Sequence, residues 1–197
     1  VAGWAASPRG ALGGAPWNVT QHAPERVAAI IREIGGEYDL RDGTAGHFTA
    51  VVESGATLKG PIVIVPRCVV AGSALLRGGV FLDEDCIVGP AVELKSTFLF
   101  KGAKVAHLSF VGDSVLGAAV NLEAGSVVAN YRNELEIEVA GEVIDSGVDK
   151  FGALIGDGSR VGANAVIAPG AIVPRNSRVP RLGLIDQRPG ARLSHSP

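Results

Sequence analysis

Residues 52–94 read VESGATLKGPIVIVPRCVVAGSALLRGGVFLDEDCIVGPAVEL. Within that stretch an aliphatic residue stands at every sixth position: Val52, Leu58, Ile64, Val70, Leu76, Leu82, Val88 and Leu94. Four places after each comes a small, aliphatic or aromatic residue, Ala56, Ile62, Cys68, Ala74, Val80, Cys86, Val92 and Phe98. A helix repeats near 3.6 residues and a strand at 2, so a strict six describes short strands joined by tight turns. Three hexads close one triangular coil of eighteen residues, and stacked coils bury a shared aliphatic column that no single repeat could bury alone. The reading is all-β, a parallel β-helix of about six coils, on the order of 30 Å tall at strand spacing.

Outward from this stretch the repeat weakens on both sides. Residues 1–19, with Trp4 and Trp17 among Gly, Ala and Pro, read as an irregular arm. Pro24 opens a helix with Val27, Ile30, Ile31 and Ile34 on one face, and Gly35-Gly36 ends it. Residues 1–50 are therefore an arm and a helix expected to cap one end of the stack, where open coils would expose unpaired backbone. Downstream, the step shortens to five between Leu94 and Leu99 and again between Val111 and Leu116, on either side of KVAHLSFVGDS. Sixes resume through Leu122 and Val128 and stop at Asn130-Tyr131. Residues 132–149 alternate as an inserted hairpin would. The six returns at Ile155, Val161, Ile167, Val173 and Val179, so the coils are expected over 51–180 with a tail over 181–197.

A chain of 197 residues, 47% hydrophobic, can bury one sizeable core. Its net charge of -2 and lack of a basic stripe argue against a nucleic-acid partner. No run of 18 apolar residues and no signal-peptide pattern occurs, so a cytoplasmic protein without a membrane span is expected. The absence of methionine suggests that the chain begins inside a longer product or lost its start. Cys68 and Cys86 are one coil apart and are expected to stack in the core as small hydrophobes, a disulfide being the alternative.

His107 is the one histidine inside the repeats, since His22 and His47 precede them and His195 lies in the tail. With an ordinary pKa near 6.5, a histidine there could accept a proton from an attacking amine, or be a surface hydrogen-bonding residue. Zinc chemistry on such a solenoid needs three converging histidines, so no metal is expected.

The stretch AHLSFVGDSVLGAAVNLEAGSVVANY, residues 106–131, with Arg77 in LLRGG and Lys95 in ELKST, resembles the acetyltransferase domain of the bifunctional enzyme that makes UDP-N-acetylglucosamine. The hairpin followed by DKFGALIGDGSRVGANAVIAPGAIV is similar to the variant in archaeal-type sugar-1-phosphate nucleotidylyltransferases. The resemblance spans roughly residues 50–175. It implies a left-handed β-helix, a homotrimer with sites shared between chains, and acetyl transfer from acetyl-CoA to an amino-sugar phosphate.

It further implies His107 as general base, Arg77 and Lys95 on the sugar phosphate, and Asn121 on the sugar. Asn130 and Tyr131 would lie at the acetyl and pantetheine region, with an Asn130 amide donor at the developing oxyanion. Lys150 would match a lysine after the family's loop. Phe110 stands where the family carries a tyrosine on the substrate, and Ala163 where it carries a serine on the cofactor. Glu134, Glu136 and Glu138 replace lysines of the archaeal-type insertion. No Gly-rich nucleotide-binding loop occurs, so the nucleotidylyltransferase half has no counterpart in the sequence. The non-catalytic alternative is a binding or assembly module that keeps a sugar-phosphate or nucleotide-sugar pocket.

Overall fold

The structure, a computed structural model, describes residues 14–132 and 146–187. Helices α1 (Pro16–Gln21) and α2 (Ala23–Glu33) are followed by β1 (Tyr38–Arg41), antiparallel to β2 (Thr44–His47). From β2 onward every strand pairs in parallel with the strand one coil away. The first coil is β2, β3 (Val51–Val52) and β4 (Thr57–Lys59). The second is β5 (Ile62–Ile64), β6 (Val69–Val70) and the first half of β7 (Leu75–Leu82). The rest of β7, β8 (Ile87–Val88) and the start of β9 (Glu93–Leu99) make the third. The end of β9, β10 (Lys104–Val105) and β11 (Phe110–Gly112) make the fourth. Then come β12 (Val115–Leu116), β13 (Asn121–Leu122) and β14 (Val127–Val128). The sixth coil is β15 (Ala153–Ile155), β16 (Arg160–Val161) and β17 (Val166–Ile167). The seventh is β18 (Ala171–Val173), β19 (Arg178–Val179) and β20 (Leu184–Ile185).

The solenoid therefore has seven coils where the repeat alone suggested about six. A first coil forms partly from Thr44–His47, which carry no six-residue signature, and the last reaches Leu184–Ile185 beyond Pro180. The sixth-position aliphatics point inward at the end of each strand: Ile64, Val70, Leu76, Leu82, Val88 and Leu94 are fully buried. Full burial of one such side chain is worth about 1.5–3 kcal/mol, and the stack shares that gain coil by coil. Cys68 and Cys86 are free, buried and one coil apart, and their Sγ atoms donate to the carbonyls of Asp83 and Phe100. Both side chains are fully buried in the aliphatic column, so these thiols are packing groups.

The helix expected to seal an end lies along a flank instead. Val19 of α1 and Ala23, Val27 and Ile30 of α2 pack on Ala45, Val63, Phe98 and Val115, the outward residues of the first wall. The physical reason is that this wall is apolar on both faces, so it needs cover more than the end does. Gly79, with φ 88°, lets the backbone of Ala23 and Pro24 approach, and a Cβ there would collide with both. Among the described residues nothing covers the first coil: Val52, Ala56 and Leu58 line a cavity of about 570 Å³ rimmed by Asp39, Arg41 and His47. No helix among the described residues is long and apolar enough to cross a membrane.

All the interruptions of the repeat fall on one edge of the prism, between the third wall and the first. The two five-residue steps turn at Ser96 and Asp113, both buried with positive φ (48° and 44°). The insertion leaves the same edge after Asn130, whose carbonyl accepts the Phe151 N–H at 3.1 Å on the return. Phe151 is buried edge-on against Trp17, with centroids 5.9 Å apart. Most of the inserted hairpin, with Glu134, Glu136 and Glu138, and the tail from 188 onward lie outside the described residues.

Candidate active site

His107 sits on a different edge, in the turn from β10 to β11 between the second and third walls. It is exposed, and its imidazole has no hydrogen-bond partner among the described residues. The backbone of this turn is held by a ladder: Leu108 N–H donates to Pro90, and Gly125 N–H donates to the His107 carbonyl at 2.9 Å. Leu108 stands next to it with φ 58° and is 71% exposed, an arrangement that costs a bulky residue backbone strain and gains no burial. The ladder continues through Ala124 and Ala163 to Leu182. Ala163 is therefore two coils above His107, on the order of 10 Å at 4.8 Å per coil. The Glu123 carboxylate accepts from the Ala163 N–H at 2.9 Å and from Arg181 Nε at 2.8 Å, and these two contacts hold it below the usual carboxylate range. Beside this edge Phe110, Val127, Val166 and Leu184 form an in-register apolar stripe on the third wall.

At the far end of the third wall the interrupted edge gathers a second set. Arg77 and Lys95 are register neighbours on successive coils. Arg77 donates through Nε (2.7 Å) to Glu93, with Nη2 at 2.6 Å from the same oxygen. Lys95 Nζ donates to both oxygens of Asp113 at 2.8 and 2.7 Å. Asn130 Nδ2 donates to the same carboxylate, so one anion holds an ammonium and an amide. Asn130 packs closely on Gly112: a Cβ there would stand 2.7 Å from Asn130 Cγ and 2.8 Å from Phe110 Cζ. The Phe110 ring thus reaches from the residue three after His107 to the Asn130 amide. Tyr131, 57% exposed, follows Asn130. Arg132, 9% exposed, donates Nη2 to Asp186 at 2.8 Å and to the Pro169 carbonyl, clamping the exit of the insertion to the last coil. Lys150 is exposed on the segment that returns to the solenoid, two residues before Gly152, whose N–H donates to the Asp113 carbonyl at 2.8 Å.

Asn121 belongs to neither set. It faces outward on the second wall, in a groove with Lys104 and Arg160. A single chain thus brings Arg77, Lys95, Phe110 and Asn130 together, puts His107 and Ala163 along a second edge, and holds Asn121 apart. The sequence did not point to Glu93, Gly112, Asp113 or Arg132. Asp113 had a signal: it is the residue on which the second five-residue step turns. No group of three or more His, Cys, Asp or Glu side chains able to hold a metal gathers among the described residues.

Coils of six whose parallel strands stack in register define a hexapeptide-repeat left-handed β-helix, and the relatives that this chain matches are named for acetyltransferases. The chain is a homologue of the acetyltransferase part of the bifunctional sugar-1-phosphate nucleotidylyltransferase/acetyltransferases. It is 39% identical over 110 residues to the enzyme of that name from Sulfurisphaera tokodaii, covering 54% of this chain and 27% of the relative. It is 31% identical over 182 residues to the bifunctional protein GlmU of Methanococcus maripaludis, covering 88% and 44%. The chain thus spans less than half of each of these relatives. A Bacillus cereus structure assigned to the acetyltransferases shares the fold, with a TM-score of 0.51 and 14% identity over 71% of this chain and 74% of that one. No protein-family model matches.

Proposed function

We propose that this chain is an acetyl-CoA-dependent N-acetyltransferase of an amino-sugar phosphate. The observation that carries the reading is the His107 imidazole, exposed and unpartnered among the described residues at the head of the apolar stripe Phe110, Val127, Val166 and Leu184. The stripe and the small residues Ala124 and Ala163 offer a thioester arm a path along the prism. The sugar nitrogen attacks the thioester carbonyl carbon while His107 takes its proton. The tetrahedral intermediate expels the CoA sulfur, which leaves as thiol with that proton, and the product is the N-acetyl sugar. The protein's contribution is mainly proximity and orientation.

Asp113 takes one N–H of Asn130, so the amide carbonyl faces away from Asp113 and the second N–H remains for the acetyl group. Arg77 and Lys95 are each matched by a carboxylate, and on this reading they act as oriented donors to the sugar and its phosphate. Tyr131 and Lys150 flank the same edge and line the acetyl and pantetheine region. The reaction as drawn needs no metal. Because Asn121 and Asn130 lie on separate walls, the complete site forms between copies, which supports a homotrimer.

The test is release of CoA thiol from acetyl-CoA with glucosamine-1-phosphate or galactosamine-1-phosphate. Turnover with either supports the reading, and turnover with neither overturns it. Phe110, which lacks the hydroxyl of the family tyrosine, favours the second reading, a sugar-phosphate binding module; binding without turnover would establish it.

A further inference from the structure

The wall that carries α2 is finished differently at its two ends. At the last coil the Gln187 side chain stands in for a further strand beside β18: its Oε1 accepts from the Ile172 N–H at 2.8 Å and its Nε2 donates to the Ile172 carbonyl at 3.1 Å. At the first coil β1 ends the sheet, and among the described residues no strand pairs with its outer edge.

The backbone of that edge is set to hydrogen bond. The hairpin turns through Asp42-Gly43, with φ 47° and 73°, so Arg41 and Thr44 are the hydrogen-bonded pair that closes it. Below them the Phe48 N–H donates to the Glu37 carbonyl at 3.1 Å. Such pairs alternate along an antiparallel ladder, so Asp39 also bonds toward β2, and the N–H and C=O of Leu40 point to the outer edge. Edge strands are commonly blunted by proline, lysine or a bulge. The strand YDLR has neither residue, and its register with β2 is unbroken.

Its sequence makes this edge complementary to itself. A two-fold axis through Leu40 sets two copies of β1 antiparallel, with Leu40 against Leu40 and Asp39 of each copy against Arg41 of the other. Each Leu40 N–H then donates to the carbonyl of its counterpart. Opposite charges directly opposed on neighbouring strands stabilise the pair, and like charges destabilise it. Within one chain Arg41 Nη2 stands 3.5 Å from Asp39 Oδ2, beyond the about 2.7–2.9 Å of a charge-assisted bond, and both side chains are exposed. Leu40, exposed as well, lies opposite Ala45 on the face that α2 covers, whereas Asp39 and Arg41 face the cavity of the first coil. The two Leu40 side chains would therefore meet beside α2, and the four charges over the open coils.

We propose that β1 is a docking edge for a second copy of this chain, joining two solenoids end to end through an antiparallel β1–β1 pair centred on Leu40. The pairing doubles whatever assembly the solenoid forms, two chains from one or six from three, and it does not depend on the acetyl-transfer reading.

Sedimentation velocity of the full chain over a range of concentrations tests it. The native protein is expected to double in mass as concentration rises. Asp39→Arg and Arg41→Asp each set like charges opposite, so either variant is expected to need at least tenfold more protein to double. The swap Asp39→Arg/Arg41→Asp restores opposite charges and is expected to restore native doubling, as is an equal mixture of the two single variants. Both positions are exposed, and circular dichroism checks that each variant keeps the solenoid. No doubling by the native chain overturns the proposal. So does doubling that survives both single substitutions, which would put the contact on another surface, and so does a loss that neither the swap nor the mixture recovers.

Discussion

Lys95 and Asp113 face each other across one coil, the ammonium 2.8 and 2.7 Å from the two carboxylate oxygens, and the same carboxylate anchors Asn130. The side chain of Asp113 is 5% exposed and that of Lys95 19%. Removing one member of a buried pair leaves an uncompensated charge, a loss of about 3 kcal/mol. Asp113→Gly suits the left-handed backbone at this corner and deletes the carboxylate. It is expected to lose about that much stability in urea unfolding and at least tenfold in kcat. Unchanged kcat would show that Asp113 does not position Asn130.

Gly112→Ala tests the same contact from beneath. The added Cβ meets Asn130 Cγ at 2.7 Å and Phe110 Cζ at 2.8 Å, so the amide must move off the rung. Overpacking of this kind costs about 1–3 kcal/mol. Acetyl transfer is expected to fall tenfold or more while circular dichroism keeps the solenoid signal; full activity would contradict a catalytic part for Asn130 packed on Gly112.

Arg132 is expected to matter to stability although it lies outside the repeat. Arg132→Met removes the 2.8 Å ion pair to Asp186 and the donor to the Pro169 carbonyl, so a loss of about 1–3 kcal/mol is expected, with faster proteolysis of the last coil. An unchanged urea midpoint would rule the clamp out.

Acid is expected to loosen the stack through its exposed ion pairs. Lys101 and Arg67 hold Glu84 low, Arg67 holds Asp85 low, and the Ala163 N–H and Arg181 hold Glu123 low. A carboxylate whose folded pKa is depressed contributes stability above its unfolded value, about 3.9 for Asp and 4.3 for Glu, and loses it as pH falls through the folded value. Urea midpoints should therefore be level from about pH 7 to 5 and fall below about pH 4. In Glu123→Gln the acid-side fall should be shallower; an identical profile would show that Glu123 contributes nothing.

The fold was legible because a period of six leaves the aliphatic ladder no other partner, and each of the residues from Ile64 to Leu94 in that ladder is fully buried. The seventh coil count and the position of α2 were not legible. Thr44–His47 pair through backbone, which needs no side-chain pattern, and the face that receives α2 is built from Ala45, Val63, Phe98 and Val115, far apart in sequence. The two short steps were visible in the sequence, but they turn at Ser96 and Asp113 and not at His107. A step length reports where a coil tightens. It does not report which side chain fills the corner, so Asp113 and its hold on Lys95 and Asn130 emerged only from the packed coils.

His107 as the proton acceptor is the centre of the proposed mechanism. The decisive measurement is kcat for acetyl transfer from acetyl-CoA to glucosamine-1-phosphate or galactosamine-1-phosphate in the native chain and in His107→Ala, both with intact circular dichroism. General-base catalysis of this kind contributes about 10²- to 10⁴-fold, so a loss of at least 10²-fold is expected in the variant. Equal rates in the two proteins, or no turnover in the native chain with either sugar, would contradict it.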